Sequence, residues 1–154
     1  MKASKKTVGL IIVVICAITI LFYYLQQPKT SIIIQPKNTT ISSVRKLTFP
    51  QNQSSIIIDA EQASFTRDGK EVNVTVIQTP NEGVAQSLYE LLRVSFLAQG
   101  MTEEKLNLTG CAIKFSSLNR PYIILLTKNE YLVISSSTDQ NLLLETVESQ
   151  VVRP

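Results

Sequence analysis

The chain has 154 residues, with 15 Lys plus Arg, 12 Asp plus Glu, and neither histidine nor tryptophan. Its formal charge is +3, and Lys2, Lys5 and Lys6 supply that whole excess, so the remainder lacks the basic face that nucleic-acid binding needs. Without histidine, Ser-His-Asp and Cys-His catalysis and His-ligated metal sites are excluded.

Charged residues make up only 18%, below the ~25% of an ordinary soluble domain. The shortfall is partly local. Residues 1–7 form a basic flank, and residues 8–25, from Val8 to Leu25, run without a charge. As a helix that run spans about 27 Å, close to the ~30 Å hydrocarbon core of a bilayer. Phe22, Tyr23 and Tyr24 stand together at its far end, where aromatic rings favour the headgroup level, and Pro28 then stops the helix. The pattern predicts a single transmembrane helix that anchors the chain. A cleaved signal peptide needs small residues near its cleavage site, which this run lacks. A pilin-like leader ending before Val8 and Gly9 lacks the acidic residue of an early mature helix. The three lysines place the N-terminus in the cytoplasm and the C-terminal domain outside, although Lys29, Lys37, Arg45 and Lys46 weaken the asymmetry. Cys16 falls in the apolar run and Cys111 far from it, so the two cannot pair, and Cys111 reads as a small buried residue.

Residues 26–53 read as an extended linker. Pro28, Pro36 and Pro50 punctuate it, and Ile32, Ile33 and Ile34 make a short apolar patch. No internal repeat stands out. A folded domain is expected over residues 54–154. Ser55–Ala60 is β-branched and suits a strand. Asp68-Gly69 signals a hairpin between Gln62–Arg67 and Glu71–Gln78, with Val72, Val74 and Val76 on one face. Thr79, Pro80 and Glu82 fit a capping box that opens a helix. Its expected apolar stripe is Val84, Leu88, Leu91, Leu92 and Phe96, widened by Ala85 and Tyr89, and Gly100 is its stop. Gly83, in the first turn, is read as permitting close packing on the sheet.

Leu106 and Leu108 alternate with polar residues until Gly110 shifts the phase, which reads as a β-bulge or tight bend before Cys111, Ile113 and Phe115. Tyr122–Leu126 and Tyr131–Ile134 flank Lys128-Asn129-Glu130 and suit a hairpin buried on both faces, with Tyr122 opposite Tyr131. Asp139–Val152 closes the chain as a helix with Leu142, Leu143, Val147 and Val151 on one stripe, capped by Thr138 or Asp139. The order β-β-β-α-β-β-β-α predicts an α+β domain: a mostly antiparallel sheet with two packed helices.

The inventory offers no P-loop, no G-x-G-x-x-G and no S-x-x-K at a helix start. Asp59 and Glu61 are the best carboxylate pair and read as a solvated face; Glu103 and Glu104 point apart. No enzyme activity, catalytic residue, cofactor or metal is expected. Sequons begin at Asn38, Asn52, Asn73 and Asn107 and are candidates for glycosylation. Arg120, Tyr122 and Ile33 are the candidate partner contacts.

The strand Glu71–Gln78, the T-P-x-E start at Thr79–Glu82, the Ala85/Tyr89 spacing and the hairpin Tyr122–Ile134 followed by Asp139–Val151 are similar to a known kind of domain. They resemble membrane-anchored domains of the PsbP-like α/β/α sandwich kind, over about half the chain. The resemblance implies a non-enzymatic accessory or binding module. The expected function is thus a single-pass membrane protein whose outward domain binds another membrane or envelope protein as an accessory subunit. The alternatives are an envelope or filament subunit in which Ile32–Ile34 adds a strand to a neighbour, making homo-oligomers, and a ligand- or lipid-binding sensor with a pocket between helix and sheet.

Overall fold

The structure, a computed structural model, describes residues 31–50 and 55–151. The predicted anchor at residues 8–25, the orientation signal Lys2, Lys5 and Lys6, and the sequon at Asn52 lie outside the described residues. No helix among the described residues is long and apolar enough to cross a membrane.

Among the described residues, seven strands and two helices follow in the order β1 (Thr40–Lys46), β2 (Asp59–Arg67), β3 (Lys70–Gln78), α1 (Glu82–Ala98), β4 (Thr102–Leu106), β5 (Cys111–Ser116), β6 (Tyr122–Lys128), β7 (Tyr131–Ser137) and α2 (Gln140–Val151). They form one antiparallel sheet in the order β1-β2-β3-β7-β6-β5-β4. The α+β class and the antiparallel sheet with two helices stand as expected.

The hairpins follow from their turn residues. Asp68 (φ 52°) and Gly69 (φ 75°) make the left-handed pair that a two-residue turn demands, and Arg67 then faces Lys70. Asn129 (φ 53°) turns β6 into β7. These two are the apolar runs of the sequence, and they occupy the centre of the sheet. Their register sets Tyr122 opposite Ser137 and Tyr131 opposite Lys128, so the two tyrosines stand at opposite ends of the hairpin rather than facing each other.

Gly110 (φ 102°) does not make a bulge within one strand. It closes the β4–β5 turn, where a Cβ would lie 2.3 Å from the Thr127 carbonyl oxygen. An L side chain is excluded there by both backbone strain and contact. This turn adds a strand to the expected count. Two further differences concern the N-terminal half. The Ile-rich run at residues 55–58 precedes β2 instead of forming a strand, and β1 lies inside the stretch read as linker. β1 is an edge strand, exposed along its length, with an irregularity at Ser42. Its solvent-facing polar residues carry no apolar period, and so it reads as loop.

Side chains alternate across the strands into two apolar clusters. Val72, Val74, Ile124, Leu126 and Val133 meet Leu142, Leu143 and Val147 of α2 on one face. Ile113, Phe115, Leu125 and Leu132 meet Tyr89 of α1 on the other. α1 packs on β6 and β7, and α2 packs on β7, β6 and β3. The domain is therefore three layers, helix–sheet–helix. Both helices begin at a side-chain cap. Asp139 Oδ1 accepts from the Leu142 N–H at 2.8 Å, as one of the two expected caps. In α1 the cap is Asn81, whose Oδ1 accepts from the Val84 N–H at 3.1 Å. Thr79, expected there, is buried and donates from Oγ1 to the Glu130 carbonyl at 2.9 Å. Gly83 is exposed beside Asn81 and does not face the sheet. Gly100 (φ 78°) ends α1 as expected.

Candidate functional site

The most elaborate arrangement lies where the sequence reads as tether. Ser31–Ile34 is strapped across the α2 face of the sheet. Ile33 is buried among the residues of the main core, with 8% of its surface exposed. Glu61 Oε2 accepts from Ser31 Oγ at 2.6 Å and from the Ile32 N–H at 2.8 Å. The Gln150 side chain engages both backbone groups of Ile34. Its Oε1 accepts from the Ile34 N–H at 2.9 Å, and its Nε2 donates to the Ile34 carbonyl. A primary amide used in this way copies one rung of a β-ladder. Glu61 and Gln150 are each only 2% exposed, so the two buried polar groups gain partners from the strap.

Two expectations change here. Ile33, a candidate partner contact, is occupied within its own domain. Glu61, read with Asp59 as a solvated face, is buried. Lys46 of β1 joins the pair by reaching Asp59 at 2.9 Å and Glu61 at 3.4 Å. The neighbouring carboxylate bond at Asp59 is the main reason that Lys46 is held above its ordinary pKa. Beside the strap, Ile34, Pro36, Glu145 and Glu148 border a surface groove of about 420 Å³.

A second feature is α1. Its covered stripe is Ala85, Leu88, Tyr89, Leu92 and Phe96, and the Phe96 ring meets Phe115 at 5.2 Å. The opposite side is also apolar. Leu91, expected in the core, is 67% exposed, with Val94 at 62% and Leu97 at 40%. At one end of the sheet Leu118 is almost fully exposed. Leu118 and the half-buried Tyr122 border a shallow groove with Gly100, and Arg120 stands exposed in the same turn. Arg120 and Tyr122, the two remaining partner candidates, thus flank a large apolar side chain.

A cleft of about 220 Å³ at the edge of α1 is lined by Tyr89, Arg93, Glu103 and Cys111. The Cys111 thiol is half-buried and donates to the Tyr89 hydroxyl at 3.3 Å. Burial is the main reason that the Tyr89 hydroxyl is pushed above its ordinary pKa. Arg93 bonds both oxygens of Glu103 at 2.7 Å, which holds that carboxyl below its ordinary pKa. Such a fork fixes α1 to β4 at an exposed site.

Among the sequons, Asn38 and Asn107 are exposed in turns. Asn73 is half-buried within β3 and its Oδ1 accepts from Ser64 Oγ at 2.5 Å, so its side chain already serves the sheet. Among the described residues no group of three or more His, Cys, Asp or Glu side chains could hold a metal ion. Comparisons with protein-family models, with curated proteins and with solved structures find no match.

Proposed function

We propose that this chain is a single-pass membrane-anchored, non-enzymatic protein, N-terminus in the cytoplasm and domain outside, whose domain binds a protein partner as an accessory subunit of a membrane or envelope complex. The observation that carries the reading is the outer side of α1. A surface helix normally pairs one apolar stripe with a polar face. In α1 the exposed side bears Leu91, Val94 and Leu97, with Glu90 beside them. Three large aliphatic side chains exposed on one side of a helix suit a site of protein association. The helix on each face of the sheet supports the likeness to PsbP-like sandwiches, and the run at residues 8–25 supports the anchor. Tyr89, Phe115, Leu125 and Leu132, all fully buried, fill the α1–sheet seam and leave less support for a ligand carrier.

The test is a mild-detergent purification of the full-length protein from its own membranes, with co-purifying chains identified by mass spectrometry. A stoichiometric membrane protein recovered with the unaltered chain and lost with Leu91→Asp is expected. An identical set of proteins with both chains, or turnover of a small-molecule substrate by the purified protein, overturns the reading.

A further inference from the structure

The strap has a four-residue double in the sequence, too short to stand out as an internal repeat. Ser31-Ile32-Ile33-Ile34 recurs, residue for residue, as Ser55-Ile56-Ile57-Ile58, each copy preceded by a hydroxyl residue, Thr30 or Ser54. The first copy is held: its hydroxyl and one N–H are bound by Glu61, its third residue fills the core, and its fourth is bracketed by Gln150. The second copy is presented. Ile56 and Ile58 are among the large exposed apolar residues, with Ile58 at 61%.

We infer that the Glu61–Gln150 groove is an exchangeable binding site for an extended Ser-Ile-Ile-Ile segment, and that its alternative occupant is Ser55–Ile58 of a second copy of this chain. The recognition is chemical. Glu61 reads a hydroxyl followed by a backbone N–H, the core reads an aliphatic side chain two residues after the serine, and Gln150 reads the backbone of the next residue. Ser55, Ile56, Ile57 and Ile58 meet each requirement in order. Docking releases the Ile58 N–H from the Gln78 carbonyl, which it meets at 2.8 Å, and Gln150 Oε1 replaces that acceptor. The strap within the same chain holds the site by its high effective concentration. Assembly therefore begins only when the strap is withdrawn. Because each copy carries both the site and the presented segment, copies link head to tail or exchange segments reciprocally, and either arrangement gains mass with concentration. The inference uses neither the anchor nor the outer stripe of α1.

The strap is withdrawn by Ile33→Asp, or by Ile34→Pro, which removes the N–H that Gln150 binds and adds no charge to the core. Full-length protein in detergent is followed by sedimentation, with circular dichroism reporting the fold. The unaltered chain is expected to be monomeric, and either variant to gain mass with concentration. Adding Ile58→Asp or Gln150→Ala to the variant is expected to restore the monomer. A folded strap variant that stays monomeric overturns the inference, as does association that survives Ile58→Asp. Cross-linking reads the same contact in the Ile34→Pro chain: Ile58→Cys with Ser149→Cys, in a chain whose Cys16 and Cys111 are serine. Oxidation should yield more linked dimer than either single-cysteine chain, and an equal yield overturns the inference.

Discussion

The two helices cover opposite faces of one sheet, yet they are built to different ends. α2 is short and committed. Leu142, Leu143, Thr146, Val147 and Gln150 are all buried, and even its buried glutamine is used to hold the strap. α1 is longer, yet only Ala85 and Tyr89 are fully buried, and leucine and valine also face outward. The contrast teaches that apolar content does not measure a helix's contribution to its own fold. In α2 the apolar residues close the core. In α1 Leu91, Val94 and Leu97 are surplus to it.

The widest separation should come from truncation of aliphatic side chains. Leu143→Ala removes a fully buried side chain from the α2 interface and is expected to cost about 2–5 kcal/mol in denaturant unfolding. The caps should separate the helices next. Asp139→Ala is expected to cost about 1–2 kcal/mol, because Asp139 also pairs with Lys70 at 2.5 Å, whereas Asn81→Ala should fall nearer 0.5–1 kcal/mol. A larger loss at Asn81 would show α1 to be the more committed helix.

Acid should act on the same side. The Leu142 N–H, then Lys70, hold the Asp139 carboxyl below its ordinary pKa. A carboxylate with a lowered folded value stabilises fully above its ordinary value, and that contribution is lost as pH falls through the folded value. Melting temperatures followed downward from about pH 6 should fall below about pH 4, less steeply for Asp139→Asn. The smallest change in stability belongs to Leu91→Asp, within about 0.5 kcal/mol, because the side chain is exposed. The same variant carries the largest change in partner capture, and that pairing is the sharpest form of the contrast.

The sheet was largely legible because its signals are local. Period two marks β3, and Asp68-Gly69 and the polar turn after β6 mark hairpins by backbone preference alone. Where the reading failed, the deciding partner lay far along the chain. A charge at Glu61 reads as solvated unless one knows that Ser31, thirty residues upstream, comes to meet it. Three consecutive isoleucines have no period, so Ile32–Ile34 gave no sign of its docked face. The stripe of α1 was read too broadly because a helix with two apolar sides offers no phase to choose between them. Thr79 looked like a cap until the Glu130 carbonyl claimed it, and Asn81, three residues before the N–H it binds, was the available signal. The candidate site was thus the least legible part, being assembled almost wholly from distant contacts.

The strap also moves the boundary at which the protein can be cut. A recombinant version beginning near residue 54 loses β1, making β2 a bare edge, and takes Ser31, Ile32 and Lys46 away from Glu61. It also removes Ile33 from the core, so apolar surface and an unpaired strand edge are uncovered together. A recombinant domain that keeps both the sheet edge and the core covered therefore includes Ser31 onward.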